Sequence, residues 1–460
     1  MDIFLKKKIY NRLNFKDKNK DKEKQPLYKK TNKYHKILDI KKNKRKKINK
    51  YFSISIISII LIILICNIMI ITLNITNFTI FKNNFESYHS ISNISNISNI
   101  SNFNISKKHK IISDKEALEI GIKFMEICKA GVLINNKTFI EISNPKISIL
   151  IPTFNSEKTI KSTLRSIQNQ NMTDIEIIIV NDFSTDNSIK IIEEIQKEDP
   201  RIKIIHNYRK MGSLYSRSIG ALNSKGKFIT SIDSDDFFSN SDILDIIYDE
   251  TENEYYDIIS FKAFANLGYG TFKEFFNTVK KDKSKPIVLQ PELGIFPINK
   301  NDPLYQQNVL IWGKLIKTKI YQEAINNIGK ERYSYFVNWA EDTSIFFVIC
   351  QVAQSYKFID IFGMFHIFNR KSTSSILPKN DSVFGHIFLS DIVFDFSRNK
   401  YKNASVYVLK DLRKRDFFNL SDEKNKNYLR LVIHKILNCE YIDEQYKNET
   451  REYYKGLDLF

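Results

Sequence analysis

Strands and helices alternate along residues 146–232, and this order constrains the fold more than any other feature of the sequence. Apolar residues at helical spacing fill the intervals between strands, and Gly212–Asn223 is the third such helix. The alternation predicts an α/β fold with a mainly parallel sheet and flanking helices. The predicted strands are Lys146–Ile151, Ile175–Val180, Ile202–Ile205 and Phe228–Ile232.

Polar residues follow three of the predicted strands at the point where each strand ends. Pro152 and Thr153 follow the first strand, Asp182 the second, and the acidic run Asp233–Asp236 the fourth. Parallel strands bring their carboxyl ends to one edge of a sheet, where such folds bind ligands. Carboxylates crowded into this run repel one another, and a divalent cation such as Mg²⁺ or Mn²⁺ would relieve the repulsion. An acidic turn that caps a strand is the alternative interpretation.

Four short motifs in this order resemble those of family-2 glycosyltransferases. They are Ile149–Glu157, Val180–Asp186, Gly212–Gly220 and Ile232–Asp236. The resemblance implies the GT-A (Rossmann-like) fold, which binds nucleotide sugars. It also implies a nucleoside diphosphate sugar donor, such as a UDP- or GDP-sugar, and transfer with inversion at the sugar carbon.

The resemblance assigns roles to individual side chains. Asp235, supported by Asp233, would hold Mn²⁺ or Mg²⁺ against the departing diphosphate, where the ion acts as a Lewis acid. Asp182 would contact the nucleotide base; a turn aspartate bound to its own backbone is the alternative. Arg217 would reach a phosphate or orient Asp233, or else form a surface ion pair. The remaining nucleotide-sugar-binding residues would be Pro152, Thr153, Asn155, Glu157 and Trp312, the last as a sugar platform or a core residue.

Glu341 and Asp342 begin an apolar helical pattern, and Asp342 lies 107 positions after Asp235. The family carries an acidic pair at about this distance from its metal motif. The resemblance therefore implies that Asp342 is the general base and that Glu341 is its neighbour or an acceptor contact. An N-cap aspartate is the alternative. The segment His366–Ser375, which includes Arg370, loosely resembles a later family segment that closes over the diphosphate.

The basic character of the chain is concentrated at its N-terminus. Residues 1–50 contribute +15 of the net charge of +19, so we predict a disordered basic tail and no nucleic-acid-binding face. Residues 51–73 carry no charge and are long enough to span a bilayer; a buried soluble helix is the alternative. The excess of positive charge then places the tail in the cytoplasm. The catalytic part of this single-pass protein would face the lumen of the Golgi or endoplasmic reticulum.

The other segments complete the expected organisation. Residues 74–112 form a low-complexity stem whose N-glycosylation sequons also arise by chance in a chain of this composition. Residues 113–145 supply a lead-in helix that starts with a capping box, followed by a linker. The glycosyltransferase domain covers residues 146–375, and residues 376–460 form a C-terminal helical extension.

Two functions are compatible with the sequence. We expect transfer of a single sugar to a hydroxyl of a glycan, protein or lipid. One membrane span and the absence of a Gln-x-x-Arg-Trp motif argue against a processive polymerising enzyme. The alternative is a non-catalytic module on the same fold that binds a nucleotide sugar or a glycan.

Overall fold

The structure of the 460-residue chain is a computed structural model. It describes residues 113–134, 137–266, 272–275, 310–367, 379–406, 408–409 and 422–455. The predicted tail, membrane span and stem all lie outside these ranges, as does Arg370. Within the described ranges, no helix combines the length and the apolar character that crossing a bilayer requires.

A mixed β-sheet organises the described residues. Its strands are β1 (Ile147–Thr153), β2 (Ile175–Asn181), β3 (Ile202–His206), β4 (Phe228–Ser231), β5 (Phe237–Phe238), β6 (Ile258–Asn266), β7 (Phe272–Phe275), β8 (Lys314–Lys317) and β9 (Tyr356–Ile367). They are ordered β3-β2-β1-β4-β8-β6-β9-β5, and β7 pairs with β6 outside this path. The four predicted strands are confirmed as β1 to β4, which run parallel.

Beyond β4 the sheet is mixed rather than mainly parallel, because β6 pairs parallel with β9 while other pairs there are antiparallel. Strand β8 pairs antiparallel with both β4 and β6, and β5 pairs antiparallel with β9. Antiparallel neighbours need no crossover helix, so the strand–helix alternation that predicted β1 to β4 gives no signal for them. The sheet is therefore mixed, with a parallel half that starts at β3.

Helices cover the sheet, and further helices precede β1 and follow β9 along the chain. They are α1 (Asp114–Lys129), α2 (Ile160–Gln168), α3 (Ser188–Glu198), α4 (Ser213–Leu222), α5 (Ile243–Asp249), α6 (Thr318–Ile328), α7 (Lys330–Tyr333), α8 (Glu341–Val352), α9 (Lys379–Phe396), α10 (Glu423–Leu437) and α11 (Glu444–Tyr454). The lead-in helix is confirmed as α1, and Ser113 Oγ accepts from Glu116 N at 3.2 Å, as the capping-box pattern predicts.

Successive side chains of β1 point to opposite faces of the sheet, and each face has its own apolar core. Ile147, Ile149 and Ile151 pack in one core with α2, α3 and α5. Leu150, which points the other way, packs in a second core with α4, α6, α8 and α9. Both faces are thus covered, which explains the nearly continuous apolar runs in β1 and β2.

Helix α9 joins the C-terminal extension to the sheet domain. Phe388 and Ile392 on α9 belong to the same core as α8. Val383 and Ile387, on another face of α9, belong to a further core with α10. The extension therefore shares its apolar interior with the part of the chain that carries Glu341 and Asp342.

Candidate active site

The acidic run forms a tight turn between β4 and β5. Asp236 N donates to Asp233 O at 3.0 Å and closes the turn. Because β5 pairs with β9, the turn lies against the end of β9, and Asp236 Oδ2 is 3.0 Å from His366 Nδ1. Asp236 Oδ1 accepts from Ile367 N at 2.9 Å. The fully buried Asp236 carboxylate therefore fixes the orientation of the imidazole.

A divalent cation fits the chemistry of this cluster. Asp233, Asp236 and His366 each offer a ligand atom, and these atoms lie within 4.8 Å of one another. Asp235 is in the same turn, and burial together with the charges of Asp236 and Asp233 raises its pKa to about 8. Burial lowers the pKa of His366, but the neighbouring carboxylates, Asp236 foremost, raise it overall to about 9. Crowded carboxylates whose ionisation is disfavoured are the situation that a bound cation relieves.

His366 is the member of this cluster whose role was not predicted from the sequence. It entered only as the first residue of a loosely matching segment, 130 positions beyond Asp236. Its one local signal is a histidine near the end of an apolar strand, which a buried core residue would also give. The pairing of β5 with β9 is what brings it to the acidic turn.

Arg217 connects the acidic turn to the second acidic pair. Its Nη2 donates to Asp233 Oδ1 at 2.7 Å, and its Nε lies 3.7 Å from Glu341 Oε1. The Arg217 side chain is buried, so the alternative of a surface ion pair is excluded. Burial lowers the pKa of Arg217, but the charges of Asp233 and Glu341 raise it overall, and the group stays cationic.

Glu341 and Asp342 occupy the first turn of α8. The N-cap position belongs to Ala340, which has a left-handed backbone (φ +59°), so Asp342 is not the cap. Burial and the charge of Asp342 raise the pKa of Glu341 to about 8, against the opposing effect of Arg217. Burial also raises the pKa of Asp342, whose Oδ1 accepts from Thr343 N at 2.7 Å.

Asp182 clamps the loop that leads into α4. Its Oδ1 accepts from Asn207 Nδ2 at 2.8 Å and from Met211 N at 2.7 Å. Its Oδ2 accepts from Gly212 N at 2.9 Å. The turn interpretation was therefore right about backbone N–H partners but placed them in the wrong segment. The base contact proposed for Asp182 stays a prediction.

The loops after β1 and β2 interlock through side chains. Asn155 Oδ1 accepts from Thr185 N at 2.8 Å, and Glu157 N donates to Asp186 Oδ2 at 3.0 Å. Thr153 O accepts from Asp182 N at 2.8 Å, and Pro152 lies beside Val180 in the β1–β2 register. Ser156 Oγ is 2.6 Å from Ser234 Oγ. The predicted nucleotide-binding residues thus share one sheet edge with the acidic turn.

Trp312 and Lys314 lie on the segment that precedes and enters β8. Trp312 is buried and stacks on His366, with ring centroids 4.9 Å apart, which is the position expected of a core residue. Lys314 is also buried, and its Nζ donates to Leu310 O at 2.5 Å and lies 4.4 Å from the Phe346 ring centroid. Burial lowers the pKa of Lys314 to about 7.

Two close approaches hold the segment that leads into α8. Asn338 Oδ1 accepts from Ser213 N at 2.6 Å and so caps α4, the helix that carries Arg217. On the other side, a Cβ added to Gly385 of α9 would lie only 2.1 Å from Trp339 O. The backbone before Glu341 is therefore fixed between α4 and α9. The sequence around Asn338 and around Gly385 indicates neither contact.

Comparison with known proteins shows which protein family this sequence resembles. A sequence profile of "Glycosyl transferase family 2" matches residues 148–288. Residues 148–288 are therefore similar to a family-2 glycosyltransferase domain. The match covers the motifs from β1 to the acidic turn, and Glu341, Asp342 and His366 lie beyond it.

Two curated relatives of the family-2 domain and one solved structure were compared. A GalNAc(5)-diNAcBac-PP-undecaprenol beta-1,3-glucosyltransferase of Campylobacter jejuni is 38% identical over 93 residues, 20% of this chain and 30% of the relative. An uncharacterized glycosyltransferase of Haemophilus influenzae is 32% identical over 189 residues, 39% of this chain and 57% of the relative. The chain therefore spans less than two thirds of either protein.

The solved structure is that of S. aureus TarS residues 1–349 in complex with UDP-GlcNAc. It is 17% identical, with a TM-score of 0.50, and the superposition covers 67% of this chain and 88% of that one. At this identity the likeness establishes the fold, a GT-A-type mixed sheet with flanking helices.

Proposed function

We propose that the protein is a glycosyltransferase that moves one sugar from a nucleoside diphosphate sugar to an acceptor hydroxyl with inversion. The observation that carries the proposal is the bridge made by Arg217 between Asp233 and Glu341. It joins the donor side of the proposed site, at the acidic turn, to the acceptor side, at the start of α8. A buried cation that joins the acidic turn to the acidic pair of α8 favours a catalytic site over a binding module.

The residues divide the chemistry between them. Asp233, Asp235, Asp236 and His366 are the residues that would hold Mn²⁺ or Mg²⁺, which as a Lewis acid would offset charge on the departing diphosphate. Asp342 takes the proton of the acceptor hydroxyl, a role expected to contribute about 10²–10⁴-fold to the rate. Burial raises the pKa of Asp342, which makes it a stronger base once it is ionised.

Arg217 has donor capacity left for a phosphate group. In the described part of the chain, its buried Nε and Nη1 atoms have no hydrogen-bond partner. Buried guanidinium donors are normally satisfied, and phosphate oxygens suit them well. We therefore assign Arg217 two roles: it orients Asp233, and it contacts the diphosphate when the donor is bound.

The relatives suggest which substrates to test first. TarS is described in complex with UDP-GlcNAc, so UDP-sugars precede GDP-sugars in a donor panel. The Campylobacter jejuni relative is named as a glucosyltransferase of an undecaprenol-linked glycan, so lipid-linked glycans belong in the acceptor panel beside free glycans and proteins. We also propose that residues 51–73 anchor the enzyme in a membrane with the catalytic domain on the luminal side.

The test is nucleotide release by the full-length chain with Mn²⁺ and each donor, with and without acceptors. We expect one donor class to be turned over and Asp342→Asn to reduce turnover by about 10²-fold or more while donor binding persists. Asp174→Asn is the matched control, because that surface carboxylate pairs with Lys146 far from the acidic turn. Activity that survives both Asp235→Asn and Asp342→Asn refutes the mechanism. Donor binding without turnover for any acceptor supports the non-catalytic alternative.

A further inference from the structure

Phe183 is an exposed aromatic residue in a strained backbone conformation. It follows Asp182 directly after β2, its φ is +65°, and 51% of its surface is exposed. Left-handed backbone is common for glycine and unfavourable for a bulky side chain. Glycine at this position would remove both the strain and the exposed ring. The chain therefore keeps Phe183 despite a backbone strain that burial of its half-exposed ring offsets little.

Hydrogen bonds on both sides force Phe183 into this conformation. On one side, Asp182 is tied to Met211 N and Gly212 N. On the other side, Ser184 N donates to Asn181 Oδ1 at 3.0 Å, and Thr185 N donates to Asn155 Oδ1 at 2.8 Å. A strained residue held by its surroundings in this way is typical of a functional site.

The ring of Phe183 differs from the other aromatic rings at the same sheet edge. Phe154 follows β1, and Lys210 Nζ lies 3.8 Å from its ring centroid. Tyr208 follows β3, and the guanidinium carbon of Arg209 lies 5.4 Å from its ring centroid. Neither a cation nor a second ring is placed over Phe183 by any residue that the structure describes. Its face is open to a planar ligand.

We infer that Phe183 is a stacking platform for the base of the donor nucleotide. The inference deepens the proposed function and rests on it. The ring stands at the carboxyl edge of the parallel strands, where α/β sheets bind nucleotides, and it adjoins Asp182, the residue expected near the base. A purine or pyrimidine is flat and apolar on its faces, and stacks on aromatic side chains.

Phe183→Gly tests the inference because strain and stacking predict opposite results. In the full-length chain with Mn²⁺, we would titrate UDP, GDP, CDP and ADP calorimetrically and record melting temperatures. We expect Phe183→Gly to melt no lower than Phe183→Ala, since glycine relieves the strain. We expect both variants to bind the preferred nucleotide about 5- to 150-fold more weakly. Phe183→Tyr, which keeps the ring, should bind nearly as the unaltered chain does.

Two control variants show what relief of backbone strain and loss of an exposed ring do elsewhere in the chain. Asn253→Gly relieves a left-handed residue (φ +57°) in the turn between α5 and β6, and Tyr441→Ala removes an aromatic that is 49% exposed near α11. Both should leave nucleotide affinity unchanged.

The possible results distinguish failure of the stacking inference from failure of the proposed function. An unaltered chain that binds none of the four nucleotides refutes the proposed function. Normal nucleotide affinity in Phe183→Gly refutes only the stacking inference. Normal nucleotide affinity with a raised acceptor KM assigns the ring to the acceptor and also refutes it. A loss of affinity that Phe183→Tyr shares shows that the aromatic face is not what binds.

Discussion

Nη2 of Arg217 donates to Oδ1 of Asp233 at 2.7 Å, and the arginine side chain is buried while the aspartate is partly exposed. Helix α4, which follows β3, thereby carries the counter-charge for the acidic turn. The same guanidinium lies 3.7 Å from Glu341. One cation thus supports two acidic clusters that are remote in sequence.

Replacing Arg217 should damage both stability and activity. Arg217→Met leaves the buried Glu341 and the partly exposed Asp233 without their cation, so we expect a loss of about 3–5 kcal/mol in the free energy of unfolding. Donor turnover should fall to background, with Arg217→Lys intermediate. Arg201→Met is the control, since Arg201 is equally buried in a pair with Asp199 at 2.8 Å away from the acidic turn. It should lose stability and keep kcat per folded molecule. Equal kcat losses in the two variants would contradict the assignment.

Asp235→Asn should stabilise the chain when no divalent cation is bound. Burial and neighbouring carboxylates raise the folded-state pKa of Asp235 from 3.8 to about 8, so the folded chain holds this proton more tightly than the unfolded chain. Stability therefore falls as pH rises from about 4 to 8. Asparagine removes this dependence, and we expect a gain of about 1–3 kcal/mol at pH 8 in chelator.

The melting temperature of Asp235→Asn in the presence of Mn²⁺ tests whether Asp235 holds the ion. A cation that binds the folded state should raise the melting temperature of the unaltered chain, and should raise that of Asp235→Asn much less. Thermal shifts in chelator and in Mn²⁺ supply all four values. An equal Mn²⁺ shift in both proteins would show that Asp235 does not hold the ion.

Glu341→Gln should leave the rising limb of the pH profile of kcat in place. Asp342 must be ionised to act as a base, so the rate rises with pH through its raised pKa. The pKa of Glu341 is raised to about 8 by burial and by the charge of Asp342, so Glu341 is still largely protonated when Asp342 ionises. Glutamine resembles this neutral acid and removes no charge, so we expect the limb to shift by less than about half a pH unit. A shift of about one pH unit toward acid would mean that Glu341 ionises before Asp342.

Gly385→Ala should impair the chemical step rather than donor binding. The added Cβ would lie 2.1 Å from Trp339 O, so the backbone before Glu341 must shift. We expect kcat to fall about 10-fold or more, because small displacements of a base are costly, while the KM for the donor changes little. Ser390→Ala is the control on the same helix, since Ser390 is buried and bonds Ser405 O at 3.0 Å. A parallel loss of donor affinity in Gly385→Ala would argue for general damage.

Local patterns in the sequence were sufficient to predict the parallel half of the sheet. The apolar runs of β1 to β4, the helix α4 and the Ser113 cap all depend on residues close together in the chain. The acidic turn and the pair Glu341–Asp342 were predicted for the same reason, each from a short motif. Their connection through Arg217 was foreseen only on the side of Asp233.

Contacts that depend on tertiary structure were not predictable. His366 reaches Asp236 only because β5 pairs with β9, and the antiparallel strands leave no periodic signal that fixes this pairing. Asn338 caps a helix that begins 125 residues earlier. Asp182 finds its backbone partners in the loop after β3 rather than in its own turn. In each case the side chain is ordinary and its partner is distant in sequence.

The contact between Gly385 and Trp339 restricts which C-terminal segments could replace that of this chain in a hybrid protein. A hybrid protein joined near residue 375 would bring a foreign C-terminal helix against the Trp339 carbonyl. Only a helix with glycine at the matching turn would seat without displacing the acidic pair. Recombination between relatives should therefore retain that glycine, or place its crossover after α9 so that the two segments are inherited together.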